Sequence, residues 1–156
     1  MSATENIIQL NEPIRVLLRH KGATVWSIAP DATVYEAIEH MAEKKIGALV
    51  VIRGGRLDGI VTERDYARNV ILKGKGSRET RVREIMTAQV LFITPSQSID
   101  ECMRLMISRR VRHLPVLEGE KVVCIVSMGD LVNWIISFHE QTIQHLQNYI
   151  AGAYPG

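Results

Sequence analysis

The chain has 156 residues, 46% hydrophobic and 23% charged, an ordinary globular composition that excludes a wholly disordered chain. Its formal net charge of +2 is too small for the electrostatic footprint of a dedicated nucleic-acid binder. No run of about 18 apolar residues is present, so no transmembrane helix is expected, and the polar stretch from Met1 to Asn11 fits neither a signal nor a transit peptide.

In chain order, Pro13–Leu18 is a short amphipathic turn. Thr24–Ile28 is apolar, ends before Pro30 and predicts a strand. Thr33 and Glu36 match the S/T-x-x-E capping box, and Val34, Ala37, Ile38 and Met41 behind it repeat at helical spacing. Ala48–Ile52 and Leu57–Val61 flank Arg53-Gly54-Gly55-Arg56, a hairpin signal. A second helix is expected from Thr62. The stretch from Lys73 to Arg81 is polar, basic and contains Gly74 and Gly76, as a surface linker does. Val82–Met86 is another amphipathic turn.

The same grammar then recurs. Val90–Ile93 predicts a strand before Pro95. Ser98 and Glu101 form a second capping box, followed by Ile99, Cys102, Met103 and Met106 at helical spacing. Leu114–Leu117 and Val122–Val126 form a second hairpin, and a helix opens at Ser127. Residues 25–71 and 90–136 align without a gap at an offset of 65, with identities such as Ile28/Ile93, Pro30/Pro95, Glu36/Glu101, Met41/Met106, Leu49/Leu114, Asp65/Asp130 and Ile71/Ile136. Such self-similarity marks a duplicated unit, and each copy is too short to bury a good core alone. The expected fold is α+β, with β-α-β-β-α twice about a pseudo-twofold axis. An extended C-terminal helix is expected from Leu131, Ile135, Phe138, Thr142, Leu146 and Ile150, which keep a helical stripe. An apolar stripe of that length predicts a homodimer. Residues 151–156 are expected to fray.

The distinctive chemical element is Gly59-Ile60-Val61-Thr62-Glu63-Arg64-Asp65, echoed by Cys124-Ile125-Val126-Ser127-Met128-Gly129-Asp130. A strand runs into a hydroxyl residue that opens a helix, with an Asp three places on. One reading is a capping box with Asp at the third helical position. The other is a ligand site, where free N–H groups favour an anion and a first-turn carboxylate accepts from a sugar diol. The cap serves the empty form in either case.

With these motifs and Val111-Arg112-His113-Leu114-Pro115-Val116, the chain resembles a tandem pair of cystathionine-β-synthase (CBS) domains, a Bateman module. The resemblance covers about residues 13–138 and places the first domain at 13–73, a linker at 74–81, the second domain at 82–138 and a C-terminal extension at 139–156. It implies a non-catalytic regulatory module with two pseudo-symmetric clefts. Each cleft would take an adenosine-type ligand, namely AMP, ADP, ATP, NAD or S-adenosylmethionine. It further implies a homodimeric disc and a regulated partner protein.

Carried onto this chain, the resemblance assigns Asp65 to the ribose hydroxyls of the first cleft and Thr62 to the ribose and phosphate. Ile60 and Arg64 line that wall. Val90 and Leu91 run along the adenine, Val111 and Pro115 lie below it, and Arg112 and His113 point to the phosphates. The second cleft uses Asp130, Ser127, Ile125 and Gly129, opposite Val25, Trp26, Ile46, Gly47, Ala48 and Val50. Gly47 and Ala48 stand where Arg112 and His113 stand in the other copy, so a phosphate grip is expected to be missing there. The first cleft is therefore expected to prefer highly charged nucleotides. The second is expected to accept a ligand with less exposed phosphate, including NAD.

Other constellations come up short. The histidines make no metal spacing with one another or with Cys102 and Cys124. The two cysteines cannot build a disulfide framework, so buried thiols in a reducing cytoplasm are expected. No nucleophile–base order or P-loop is present. The competing function classes are a structural dimer with empty clefts and, from the basic linker alone, a nucleic-acid-binding accessory.

Overall fold

The computed structural model describes residues 10–22 and 24–137, together with Gln147. The first unit contains β1 (Ser27–Ile28), α2 (Val34–Lys44), β2 (Ala48–Arg53), β3 (Arg56–Thr62) and α3 (Glu63–Tyr66), which runs into a π-helical segment at Ala67–Ile71. The second contains α5 (Ile99–Arg109), β4 (His113–Glu118), β5 (Lys121–Ser127) and a helix, α6, over residues 128–137. Two further helices, α1 (Ile14–Lys21) and α4 (Val82–Ile85), precede the units.

Helix starts follow their caps. Thr33 Oγ1 accepts from Glu36 N at 3.1 Å, and Glu36 Oε2 accepts from Thr33 N at 3.1 Å, a complete capping box. In the second unit Ser98 Oγ accepts from Glu101 N at 3.0 Å, but no return bond from Glu101 forms among the described residues, so this box is half made. Both hairpins are present. Gly54 and Gly55 have φ of 55° and 79°, the conformation that a tight two-residue turn demands of both central residues. The register shifts between Val51 and Ile52 and, at the equivalent place, between Val116 and Leu117.

The first strands of the units fall short of expectation. Thr24–Ile28 reduces to Ser27–Ile28, parallel to β2, in a sheet of order β1-β2-β3. Val90–Ile93 contributes only a parallel bridge from Ile93 to Val116, beside the two-stranded sheet β4-β5. Of the residues before these pairings, Thr24, Trp26, Val90 and Leu91 line clefts. The helix expected from Thr62 changes pitch after one turn. Leu72 N donates to Ala67 O at 3.1 Å and Lys75 N to Val70 O at 2.9 Å, and no sequence signal announced this widening.

The cores are exchanged between units. Ile14 and Leu17 of α1 are buried with Ile93, Ile99, Met106, Leu114, Val126 and Leu131 of the second unit. Val82 and Ile85 of α4 are buried with Val34, Met41, Leu49, Val61 and Val70 of the first. Backbone bonds fix the exchange. Ile14 N donates to Gln97 O at 2.7 Å and Ile99 N to Glu12 O at 2.9 Å, while Val34 N donates to Thr80 O at 2.8 Å and Val82 N to Ala32 O at 2.9 Å. The 74–81 linker is consequently pinned. Tyr35 N donates to Ser77 O at 2.9 Å, Arg78 lies over the Tyr35 ring at 4.3 Å, and Arg81 and Arg83 both hold Asp31.

Gly59 marks where α4's exit crosses β3. Ile60 and Thr87 exchange backbone bonds of 3.0 and 2.9 Å, and a Cβ at Gly59 would lie 2.8 Å from Thr87 O and 2.7 Å from Met86 Sδ. Gly59→Ala is expected to destabilise by about 1–3 kcal/mol, the usual cost of overpacking, read as a lowered urea midpoint at unchanged slope.

Cys102 and Cys124 are both free and buried. Burial, aided by Glu101, pushes the Cys102 thiol up to about 12, so it is an unreactive packing residue. No described helix is long and apolar enough to cross a membrane. Phe138, Thr142, Leu146 and Ile150, on which the extended helix rests, and the tail at 151–156 lie outside the described residues.

Candidate functional site

The two units touch through β3 and β5, and a cavity lies on each side of this seam. Each motif hydroxyl caps its helix. Asp65 N donates to Thr62 Oγ1 at 3.1 Å, and Thr62 N donates to Asp65 Oδ2 at 2.9 Å. Asp130 N donates to Ser127 Oγ at 3.0 Å, and Ser127 N donates to Asp130 Oδ2 at 2.8 Å. The capping box is therefore real in both units, and it holds each carboxylate at the rim of a cavity.

The first cavity, of about 330 Å³, is lined by Ile60, Thr62, Arg64, Asp65, Val90, Leu91, Val111, Arg112 and His113, all expected from the sequence. Pro115 is not among its lining residues. It sits buried on β4 beyond His113, where Ile93 N donates to its carbonyl at 2.9 Å. Glu63, Arg68, Thr87, Gln89 and Arg110 also line the cavity and were not anticipated. The cleft thus gathers four arginines, Arg64, Arg68, Arg110 and Arg112, around two carboxylates. Burial outweighs the Thr62 hydrogen bonds and the charges of Arg68 and Arg64, so the Asp65 carboxyl is raised above its ordinary value of 3.8.

The second cavity, of about 380 Å³, is lined by Trp26, Ile46, Gly47, Ala48, Ile125, Ser127 and Asp130 as expected. Val25, Val50 and Gly129 do not line it. Thr24 and Trp26, just before β1, line the cleft, and Val25 between them does not. Val50 is fully buried between Ser27 and Ile60 in the sheet. Gly129 faces outward from the first turn of α6. Trp26 packs edge-on to His40 at 5.7 Å, with Lys44 Nζ 4.4 Å from its ring centroid.

Gly47 and Ala48 bring no charge to this cleft, but Lys21 and Lys45, which were not anticipated, both line it. Lys21 ends α1, a helix that packs into the second unit, so linear comparison of the two repeats hides it. Lys45 carried a signal: it aligns with Arg110, and both are helix C-caps in the left-handed region, at φ of 55° and 54°. Non-glycine residues rarely adopt this conformation, and such strain clusters at functional sites.

His113 and Gly47 line both cavities. A Cβ at position 47 would sit 3.4 Å from His113 Cε1 and Nε2, so the missing side chain at Gly47 leaves room for the imidazole as the partition. Burial lowers the His113 pKa below 6.5; Asp130 opposes this, and Lys21, Arg112 and Arg64 add to it. A base lowered in the folded state stabilises above its unfolded value and loses that contribution as pH falls. Melting temperature is therefore expected to fall between pH 6.5 and the lowered value, and His113→Gln to flatten that part of the profile.

The family model described as CBS domain matches residues 23–71 and 82–137. The chain is 38% identical over 138 residues to the mitochondrial CBS domain-containing protein CBSX3 of Arabidopsis thaliana, an alignment covering 85% of this chain and 66%, just under two thirds, of that relative. Among solved structures, a CBS-domain protein from Burkholderia ambifaria with a proposed role in signal transduction is 50% identical, with a TM-score of 0.78 over 80% of this chain and 94% of the other. A hexameric CBS-CP12 protein from bloom-forming cyanobacteria is 26% identical, with a TM-score of 0.70 over 90% of this chain and 87% of the other. The matched residues cover both sequence repeats, the lining of the first cavity and all of the second but Lys21 and Gly22, and the chain belongs to the CBS-domain family, as a tandem pair of CBS domains.

Proposed function

We propose that the protein is a non-catalytic sensor module that binds adenosine-type nucleotides, AMP, ADP, ATP or NAD, between its two domains and signals to a partner protein. The observation that carries this reading is the first cleft. A capped carboxylate there accepts from Thr62 on Oδ2 alone, with Oδ1 unpartnered among the described residues, and four arginines surround it. A carboxylate suits a ribose diol, guanidinium groups suit phosphates, and the apolar Val90, Leu91 and Val111 suit a base. The volume lies in the range of small-ligand sites. Binding must favour one arrangement of the module for a signal to arise.

Ligand-dependent melting tests the reading. A nucleotide at one hundred times its Kd adds about 2.7 kcal/mol, a shift of several degrees at this size. No shift with AMP, ADP, ATP or NAD at millimolar concentration overturns it. A homodimer is part of the proposal. Ile71 and Ile136, equivalent positions in the two repeats, are 56% and 49% exposed, and Leu72 and Val132 beside them are also exposed. A monomer at micromolar concentration in analytical ultracentrifugation would count against that part.

A further inference from the structure

The two clefts hold their carboxylates differently. Asp65 makes no ion pair among the described residues, whereas Asp130 Oδ2 lies 2.5 Å from Lys21 Nζ. Lys21 Nζ also donates to Ile125 O, and Ser127 N donates to the same carboxylate oxygen at 2.8 Å. Both partners of the ion pair are part-buried, at 31% and 26% exposure. The two carboxyls consequently shift in opposite directions. Burial raises each, but at Asp130 the Lys21 hydrogen bond and charge, with the bonds to Ser127, hold the group below 3.8.

We infer that Lys21 is the specificity-determining residue of the second cleft, an internal cation that admits phosphorylated nucleosides and resists uncharged ones. This inference rests on the nucleotide reading of the clefts. A ribose diol that reaches Asp130 competes with Lys21 for the carboxylate. A neutral nucleoside displaces the ammonium and leaves it without a counter-charge in a part-buried site. A nucleotide displaces it and supplies the replacement anion, so the ammonium passes from Asp130 to the phosphate. Lys45 lines the same cavity and adds to the attraction. Gly47 and Ala48 provide no charge, so the discrimination falls to a helix from outside the repeat.

The test uses the full chain in an Asp65→Ala background, so that calorimetry reads the second cleft. AMP, adenosine and inorganic phosphate are titrated into this protein and into versions carrying Lys21→Met or Lys21→Arg. AMP is expected to bind at least about tenfold more tightly than adenosine, the scale of one charge-assisted hydrogen bond. Lys21→Met is expected to weaken AMP and strengthen adenosine, bringing the ratio towards one, while Lys21→Arg retains the preference. Equal weakening of AMP and adenosine by Lys21→Met would mean that Lys21 only anchors α1, and would overturn the inference. An unchanged ratio would overturn it too, and so would phosphate binding as tightly as AMP, since the diol then plays no part. If neither AMP nor adenosine binds even with Asp65 intact, the nucleotide reading itself fails, a result distinct from the others.

Discussion

Asp65→Ala is expected to weaken nucleotide binding at the first cleft by about 10- to 150-fold. The variant removes the acceptor for the diol, and hydrogen bonds to a charged group contribute about 1.5–3 kcal/mol. The fold is expected to survive. Loss of the cap costs about 1 kcal/mol, but the substitution also removes a carboxylate that burial disfavours in its ionised form. An acid raised in the folded state stabilises below its unfolded value of 3.8 and loses that contribution as pH rises through the folded one. Asp130 has the opposite sign: its contribution is present above 3.8 and is lost as pH falls. At neutral pH, Asp130→Ala is therefore expected to lower the melting temperature more than Asp65→Ala. Calorimetry and melting on the same samples check both statements, and unchanged affinity in folded Asp65→Ala would remove the assigned site.

Ile14→Ala is expected to destabilise the protein by about 2–5 kcal/mol, although Ile14 lies before the first repeat. It is fully buried in the core of the second domain, and truncating such a side chain loses transfer energy and leaves a cavity. Val82→Ala, on the equivalent helix, is expected to act on the first domain. Urea denaturation gives the size of each effect. Hydrogen exchange gives its location, with Ile14→Ala lowering protection in β4 and β5 more than in β2 and β3. A loss confined to β1–β3 would contradict the exchanged cores.

The sequence by itself determined whatever depends on local pattern. The duplication, both hairpins, the helix starts at Thr33 and Ser98 and the capped Asp65 and Asp130 all follow from spacing and turn chemistry within a few residues. Nine of the ten expected residues line the first cleft, and seven of ten line the second, because the motif and its partner segment recur in register. The misses are Val25, Val50, Pro115 and Gly129. Val50 and Pro115 share a face with Ala48 and His113 but lie two residues farther along β2 and β4, paired inside the sheets. Val25 precedes β1, and Gly129 is exposed. How far along each element a cleft reaches is a tertiary property. Only tertiary structure decided the rest. α1 and α4 cross to the other domain because each domain has an apolar groove that its own β-α-β-β-α segment leaves open. That crossing brings Lys21 to Asp130, a partner 109 residues away, and gives the second cleft its charge. It also makes the clefts unequal, since a direct ion pair at Asp130 and none, among the described residues, at Asp65 leaves burial to raise one carboxyl while the other is lowered. Such long-range pairing has no periodicity to announce it, because it is set by how two packed units close on one another.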